Sequence, residues 1–389
     1  MMNIRSVHID ELPLAAELTN NVFCETGERY METSFPTLFR PGMSHSYGAF
    51  NDNGQLVSFM GLVPVNIVVG SQRISAFSIG AVCTHPDYRG QRLAGQLLER
   101  CRQHAIAAGA SMMFISGDRS LYTRAGSQFF GHMHSVTLTH KHALSEPSDL
   151  WELREMESCD LFAVHALLQR PTAHVELSIG EMQQMLAAQA MALVNQQQQH
   201  VLVAATPNGI AGVAILSIPP FYDVNNNHGD TTTTTLAPLH ATDRAGSVIE
   251  CAGRPDAVRE LWLEAIRRYS LSTLTVTIPW QEQSLLAEAQ ATGAVCTTSH
   301  NGGTVMIVNG GALLAQTGLL DDLNDEATVH VAVHEQNCYT VHTPTNEYTI
   351  ADDAELCALL FDPQADIAVA QTETFPTVPL PYMYGLYFI

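Results

Sequence analysis

Two kinds of hydrophobic spacing alternate along the 389-residue chain. Alternating or continuous β-branched runs at 3–7, 46–50, 55–69, 74–84 and 111–116 predict strands, because successive strand side chains face opposite ways. Asn51-Asp52-Asn53-Gly54 joins two of them with a strong hairpin signal, and Gly70-Ser71 turns the chain again. Helical spacing runs through Leu14, Leu18 and Val22, and later through Leu93, Leu97, Leu98, Cys101 and Ala105. His85-Pro86 stops the strand ahead of that second helix, since proline cannot donate to a ladder. Between the first helix and the second strand, 25–44 is irregular, with Phe35, Phe39 and two prolines. Hairpins feeding a parallel strand–helix–strand unit predict a mixed α/β sheet.

The order repeats after residue 148. A strand at 151–156, helices at 161–170 and 179–195, and a hairpin around Asn208-Gly209 precede a strand at 246–253. Arg254-Pro255-Asp256 then opens a helix with Val258, Trp262, Ile266 and Tyr269 on one face. A buried strand at 274–278, a helix at 285–291 and a last strand at 304–308 complete this second unit. Polar tracts at 196–199, 225–227 and 231–235 read as low-complexity loops. From Gly310 the pattern changes to helix (312–320), strand pair (330–334 and 338–342) and helix (352–361). The chain then ends in the apolar FPTVPLPYMYGLYFI. An end carrying Tyr382, Tyr384, Tyr387 and Phe388 is too apolar to hang free and is expected to be tied down. The divisions are 1–148, 149–309 and 310–389.

Charge narrows the partners. Lys and Arg number 18 against 39 Asp and Glu, a formal charge of −21. That argues against nucleic acid and anionic membranes and favours cationic or neutral substrates, unless the excess acid serves only solubility. No apolar run is long enough to span a bilayer, and the first eleven residues do not resemble a signal peptide. The eight cysteines are scattered without a CxxC, which fits free thiols in a reducing cytoplasm. His132, His134, His140 and His142 form two HxH pairs around a strand at 136–139. No cysteine or carboxylate near them in sequence completes a site, so no metal is expected.

The chemistry concentrates at 80–126. Arg89-Gly90-Gln91-Arg92-Leu93-Ala94 opens a helix, whose first backbone N–H groups lack partners and sit at the positive end of the dipole. Such a start suits a phosphate or pyrophosphate, and Arg89 and Arg92 add charge there. This stretch, from Thr84 to Ala94, resembles the acetyl-CoA signature of the GNAT acyltransferases, Arg/Gln-x-x-Gly-x-Gly/Ala. It departs from that signature at Arg92, where glycine is usual. Leu121-Tyr122-Thr123-Arg124-Ala125-Gly126 resembles the later GNAT segment whose tyrosine lies near the thioester. Two such units followed by helix, strand pair and helix resemble the Eis-type acetyltransferases, which end in a small sterol-carrier-like domain. The resemblance covers the whole chain in architecture but only 74–126 in motif. No glycine follows Pro255-Asp256, so the second unit resembles a repeat without a cofactor cradle.

The resemblance implies two GNAT-like mixed-sheet units in tandem plus a small α+β C-terminal domain. It implies a cytoplasmic homo-oligomer that moves an acetyl group from acetyl-CoA to a primary amine of aminoglycoside, polyamine or amino-sugar type. Val82, Cys83 and Thr84 would offer backbone groups to the pantetheine, and Arg89, Gly90, Gln91, Arg92, Leu93 and Ala94 would hold the pyrophosphate. Tyr122 would protonate the leaving thiolate, unless it is a core tyrosine packing the helix. The carboxylate of Ile389 would help deprotonate the acceptor, unless the tail only plugs an apolar groove. Ser116, Asp118 and Arg119 follow a strand end, where α/β folds put ligands. Ser116 is assigned to the cofactor, and Asp118 and Arg119 to the acceptor. Glu25 and Glu28 are further acceptor candidates, or solvated loop carboxylates. A cradle that binds acyl-CoA without turnover, as a sensor, is the rival reading.

Overall fold

The computed structural model describes residues 2–24, 29–42, 44–144, 148–220, 244–320, 329–367 and 375–389. Strands occur in chain order as β1 (Asn3–Ser6), β2 (Tyr47–Phe50), β3 (Leu56–Val69), β4 (Gln72–Thr84), β5 (Met112–Ile115) and β6 (His132–Thr139). The middle of the chain supplies β7 (Glu152–Glu155), β8 (Ala173–Val175), β9 (Gln198–Thr206), β10 (Gly209–Ile218), β11 (Ala245–Gly253) and β12 (Thr273–Pro279). The last are β13 (Val295–His300), β14 (Thr304–Ile307), β15 (His330–Val333), β16 (Tyr339–His342) and β17 (Glu347–Ile350).

The chain divides into two compact units, the first being Met1–His132, Thr172–Ala188 and His300–Ile389. Its main sheet runs β1-β2-β3-β4-β5-β14, with β8 paired to β3. The pairing is antiparallel except for β4 with β5, which run parallel from Ala76 opposite Met112 to Ile79 opposite Ile115. On one face the helix Leu93–Ala107 packs Leu97, Leu98, Cys101 and Ala105 against Met60, Leu62, Ile79 and Met113. Each large apolar side chain buried this way contributes roughly 1.5–3 kcal/mol. A second core joins Ile67, Ile74, Met112 and Phe114 to Leu356, Leu360 and Phe361 of the helix Asp353–Phe361 and to Phe375, Val378 and Leu380. The small sheet β15-β16-β17 belongs to this same unit.

The second unit is Met133–Pro171 and Gln189–Ser299, built on a sheet of order β13-β6-β12-β11-β10-β9-β7. The helix Pro255–Arg268 buries Val258, Leu261, Trp262, Ala265 and Ile266 in its core. Read from β7 and from β1, the two sheets have the same strand order for five places. The sixth place differs from the simple repeat. β6, which follows the first motif in sequence, pairs antiparallel with β12, whereas β14 pairs antiparallel with β5. The strand at 304–308, expected to close the second unit, therefore closes the first sheet. Local hydrophobicity predicts a strand but not which sheet it joins, so the pairing is decided by tertiary context.

Smaller departures have local causes. The first helix, Leu12–Phe23, buries Leu12, Ala15, Ala16 and Thr19, leaving Leu14 exposed on the other side. The predicted helix at 179–195 is broken at Gln189, which takes a left-handed conformation between Ile179–Ala188 and Ala190–Val194. All eight cysteines are unpaired, and Cys83, Cys101 and Cys357 are buried. Among the described residues no helix is long and apolar enough to cross a membrane.

Candidate active site

The site lies where β4 and β5 part. Their ladder ends at Ile79 opposite Ile115, and among the described residues β4 runs on to Thr84 paired only with β3. The parting coincides with a register shift between Phe59 and Gly61 on β3 and with Ala81, held at φ 50°. Backbone groups on that free edge of β4 are available to an extended ligand, as a strand would be.

Beyond Thr84 the chain makes the turn Pro86–Tyr88 and enters the helix Leu93–Ala107. Gly90 has φ 79° and Arg92 φ 59°, so both take the left-handed conformation. Arg92 adopts there the shape that glycine takes without cost, at a price of roughly 1–2 kcal/mol. Its side chain makes no capping bond to the helix start, and Arg89, Gly90, Gln91 and Arg92 are all exposed. The first turn thus presents its N–H groups beside two guanidinium groups, an anion-binding arrangement.

The side chains expected to serve the cofactor differ in what they are free to do. Cys83 is buried, and burial pushes its thiol up to about 12, so it offers only backbone. Thr84 Oγ1 is 2.7 Å from Ser58 Oγ, and its carbonyl accepts from Arg89 Nε at 3.3 Å. Val82 is half-buried beside the helix core, and Ala94 is half-buried in the first turn. Leu93 packs with Ala49 and Val57, leaving its N–H as the part that faces the turn.

Tyr122 lies in the short helix Ser120–Thr123 and is 6% exposed. It packs with Leu97, Leu98 and Cys101. Burial, with Arg119 opposing, pushes its hydroxyl up to about 12, so the phenol is protonated at neutral pH. Its ring also lies 3.6 Å from the place a Cβ on Gly117 would take. Asp118 and Arg119 are exposed next to it. Glu25 and Glu28 lie outside the described residues.

Residue 116, one position before Gly117, meets the end of the chain. Ser116 Oγ donates to a carboxyl oxygen of Ile389 at 3.0 Å, with the Ile79 carbonyl at 3.3 Å as its alternative acceptor. Ser116 therefore sits on the chain terminus rather than open to a cofactor. Ile389 is 5% exposed, and its carboxyl group covers the Cα of Gly80. The tail is anchored along its length. Asn301, itself buried, donates through Nδ2 to the Pro381 carbonyl at 3.0 Å and accepts from the Met383 N–H at 3.1 Å. Tyr387 donates to the Pro64 carbonyl at 3.1 Å, and Phe388 meets Phe35 edge-on at 5.9 Å. Beside Ile389 remains a cavity of about 20 Å³ lined by Val65, Ser78, Phe114 and Tyr387. Gly80, Asn301 and Pro64 carry no sequence signal of their own; each matters through the segment that the fold lays on it.

The corresponding place in the second unit is closed. Pro255 removes one N–H from the helix start, and Asp256 takes the Ala257 N–H at 3.0 Å while pairing with Arg254 at 2.8 Å. A carboxylate thus occupies this helix start, where an anion would have to bind.

Residues 3–129 match a family model described as an acetyltransferase (GNAT) domain. This segment is a GNAT domain. It spans the free β4 edge, the Arg89–Ala94 turn and Tyr122. No curated protein matches the chain in sequence. Solved structures are similar over nearly its whole length. A probable N-acyltransferase from Enterococcus faecalis V583 shares 12% identity, with 98% of this chain and 99% of that chain covered and a TM-score of 0.70. Eis1 from Mycobacterium abscessus shares 12% identity, with full coverage of both chains and a TM-score of 0.64. A GCN5-related N-acetyltransferase from Anabaena variabilis shares 12% identity over 94% and 92%, with a TM-score of 0.61. At such identity the likeness is one of fold alone, and it extends over nearly the whole chain.

Proposed function

We propose that the protein is an acetyl-CoA-dependent N-acetyltransferase acting on a primary amine of a small molecule. The observation that supports this best is the Ile389 carboxyl group held by Ser116 against Gly80, where the free edge of β4 begins. In this reading the pantetheine lies along Val82–Thr84 and the pyrophosphate on the Arg89–Ala94 turn. The amine nitrogen attacks the thioester carbon and gives its proton to the Ile389 carboxylate. The tetrahedral oxyanion is stabilised by a β4 backbone N–H. When the intermediate collapses, the C–S bond breaks and Tyr122 donates its proton to the thiolate. A protonated phenol at neutral pH is what that step requires.

The acceptor in this reading is cationic, of aminoglycoside, polyamine or amino-sugar type. The formal charge of −21 supports a cationic amine, and Asp118 is an exposed carboxylate beside the site. The small C-terminal sheet and helix act as a reduced sterol-carrier-like module that delivers the tail.

The test is release of free CoA from acetyl-CoA against a panel of amines. It compares wild type, Tyr122→Phe and a chain lacking Phe388 and Ile389. Release by wild type that drops in both variants supports the tyrosine-and-carboxylate mechanism, and loss in Tyr122→Phe alone leaves the tail as packing. Binding of acetyl-CoA with no release from any amine would mark a sensor instead.

A further inference from the structure

The two HxH pairs around β6 do not form a site with each other. His142 Nδ1 accepts from the Thr139 N–H at 2.9 Å, and His134 Nδ1 lies 3.3 Å from Thr298 Oγ1. His132 instead meets two residues from distant parts of the sequence. One ligand atom each from His132, His300 and Asp362 falls within 4.8 Å of the others. We infer that these three side chains bind a divalent transition metal of the zinc type, apart from the acyl-transfer site and independent of the function proposed for it.

The geometry of one pair carries the argument. His132 Nδ1 lies 3.1 Å from Asp362 Oδ1, at a hydrogen-bonding distance. The nitrogen is nevertheless buried and makes no hydrogen bond among the described residues. A protonated imidazole paired with Asp362 would aim its N–H at the carboxylate, which this one does not. Two ligand atoms on one tetrahedral ion, with bonds of about 2.0–2.1 Å, lie about 3.3 Å apart with neither aimed at the other. The pair has that spacing and that misalignment.

The backbone holds the three ligands together. The Gly131 N–H donates to the Phe361 carbonyl at 3.0 Å, fixing the residues just before His132 and Asp362. The Asn301 N–H donates to the Phe130 carbonyl at 3.2 Å, fixing the residue just after His300. Phe129 stacks on His300 at 5.4 Å, and the Gln364 N–H donates to Asp362 Oδ1 at 2.9 Å. A supported imidazole and a hydrogen-bonded carboxylate are what metal ligands usually show in their surroundings. His300 is the exposed member of the three, and His132 and Asp362 are partly buried. Two imidazoles and one carboxylate suit zinc or cobalt better than magnesium or calcium, and three protein ligands leave a fourth position for water.

The test titrates Co2+ and then Zn2+ into the full chain, without a histidine tag, following visible cobalt bands and the melting temperature. The variants are His300→Gln, His132→Gln and Asp362→Asn. His300→Gln changes an exposed side chain, so folding is retained. Wild type should take up one cobalt with tetrahedral bands, which zinc then displaces, and should melt higher with zinc. Each variant should bind more weakly than the roughly 10–100-fold loss that removing a supporting residue produces. Equal uptake by wild type and all three variants would place the metal elsewhere. No uptake by folded wild type would reduce the cluster to an ion pair. Either result overturns the assignment, and neither bears on CoA release.

Discussion

The carboxyl group of Ile389 rests on the Cα of Gly80. A Cβ at position 80 would lie 2.5 Å from its carboxyl carbon and 2.6 Å from its oxygen. The last residue of the chain is thereby fixed where β4 and β5 part, and position 80 has no room for a methyl group while the tail stays in place.

Gly80→Ala should therefore expel the terminus without touching the cofactor turn. Loss of a positioned base costs on the order of 10²-fold or more in rate. The expected result is a kcat near that of the chain lacking Phe388 and Ile389, with KM for acetyl-CoA unchanged. Steady-state kinetics on both proteins checks it, and a full rate in Gly80→Ala would mean that the carboxylate takes no part.

Ser116→Ala removes the side-chain hydrogen bond to the carboxylate. Hydrogen bonds to charged groups are worth about 1.5–3 kcal/mol, so kcat should fall roughly 10- to 100-fold. If Ser116 served the cofactor instead, KM for acetyl-CoA would rise while kcat held. Separate measurement of the two constants distinguishes the roles.

Tyr122→Phe should lower kcat on the order of 10²-fold with little change in fold. Stability offers a second signature. The Tyr122 hydroxyl is raised to about 12 in the folded chain, against about 10 unfolded. The neutral phenol therefore favours the folded state, and that preference is lost as pH rises from the unfolded value towards the folded one. Denaturation at pH 8 and pH 11 should show a smaller alkaline loss in Tyr122→Phe than in wild type.

Glu11 has the opposite sign. Its bidentate pair with Arg5, at 2.6 and 2.7 Å, pulls its carboxyl down to about 2. The stabilisation is present above the ordinary glutamate range of about 4.3, and is lost as pH falls through that range towards the folded value. Glu11→Gln should be less stable than wild type at neutral pH, and the gap should close in acid. Chemical denaturation at neutral and acidic pH measures it.

Asn301→Ala would leave the Pro381 carbonyl and the Met383 N–H without their partner, at about 1–3 kcal/mol for each buried group. Hydrogen exchange at 381–389 should accelerate, and turnover should fall because the carboxylate is no longer held. Unchanged exchange there would show that the apolar contacts alone hold the tail.

The sequence by itself determined the local elements and the turn that opens the helix Leu93–Ala107. A helix start, a run of strand-forming residues and a left-handed turn are each settled within a few residues, by backbone sterics and side-chain period. The strand end at Thr84, the turn after it and the helix from Leu93 were legible for that reason. The anchored tail was also legible, since an apolar end must find cover. Tertiary structure decided which surfaces met. β14 is continuously buried and β6 only at alternate positions, but only long-range pairing put β14 beside β5 and β6 beside β12. Gly80, Ser116 and Asn301 gained their places because the last fifteen residues lie across them. His132, His300 and Asp362 came together in the same way, far apart in sequence and joined by backbone hydrogen bonds between three segments. Contacts of this kind depend on where a distant segment ends up, and no local period encodes that.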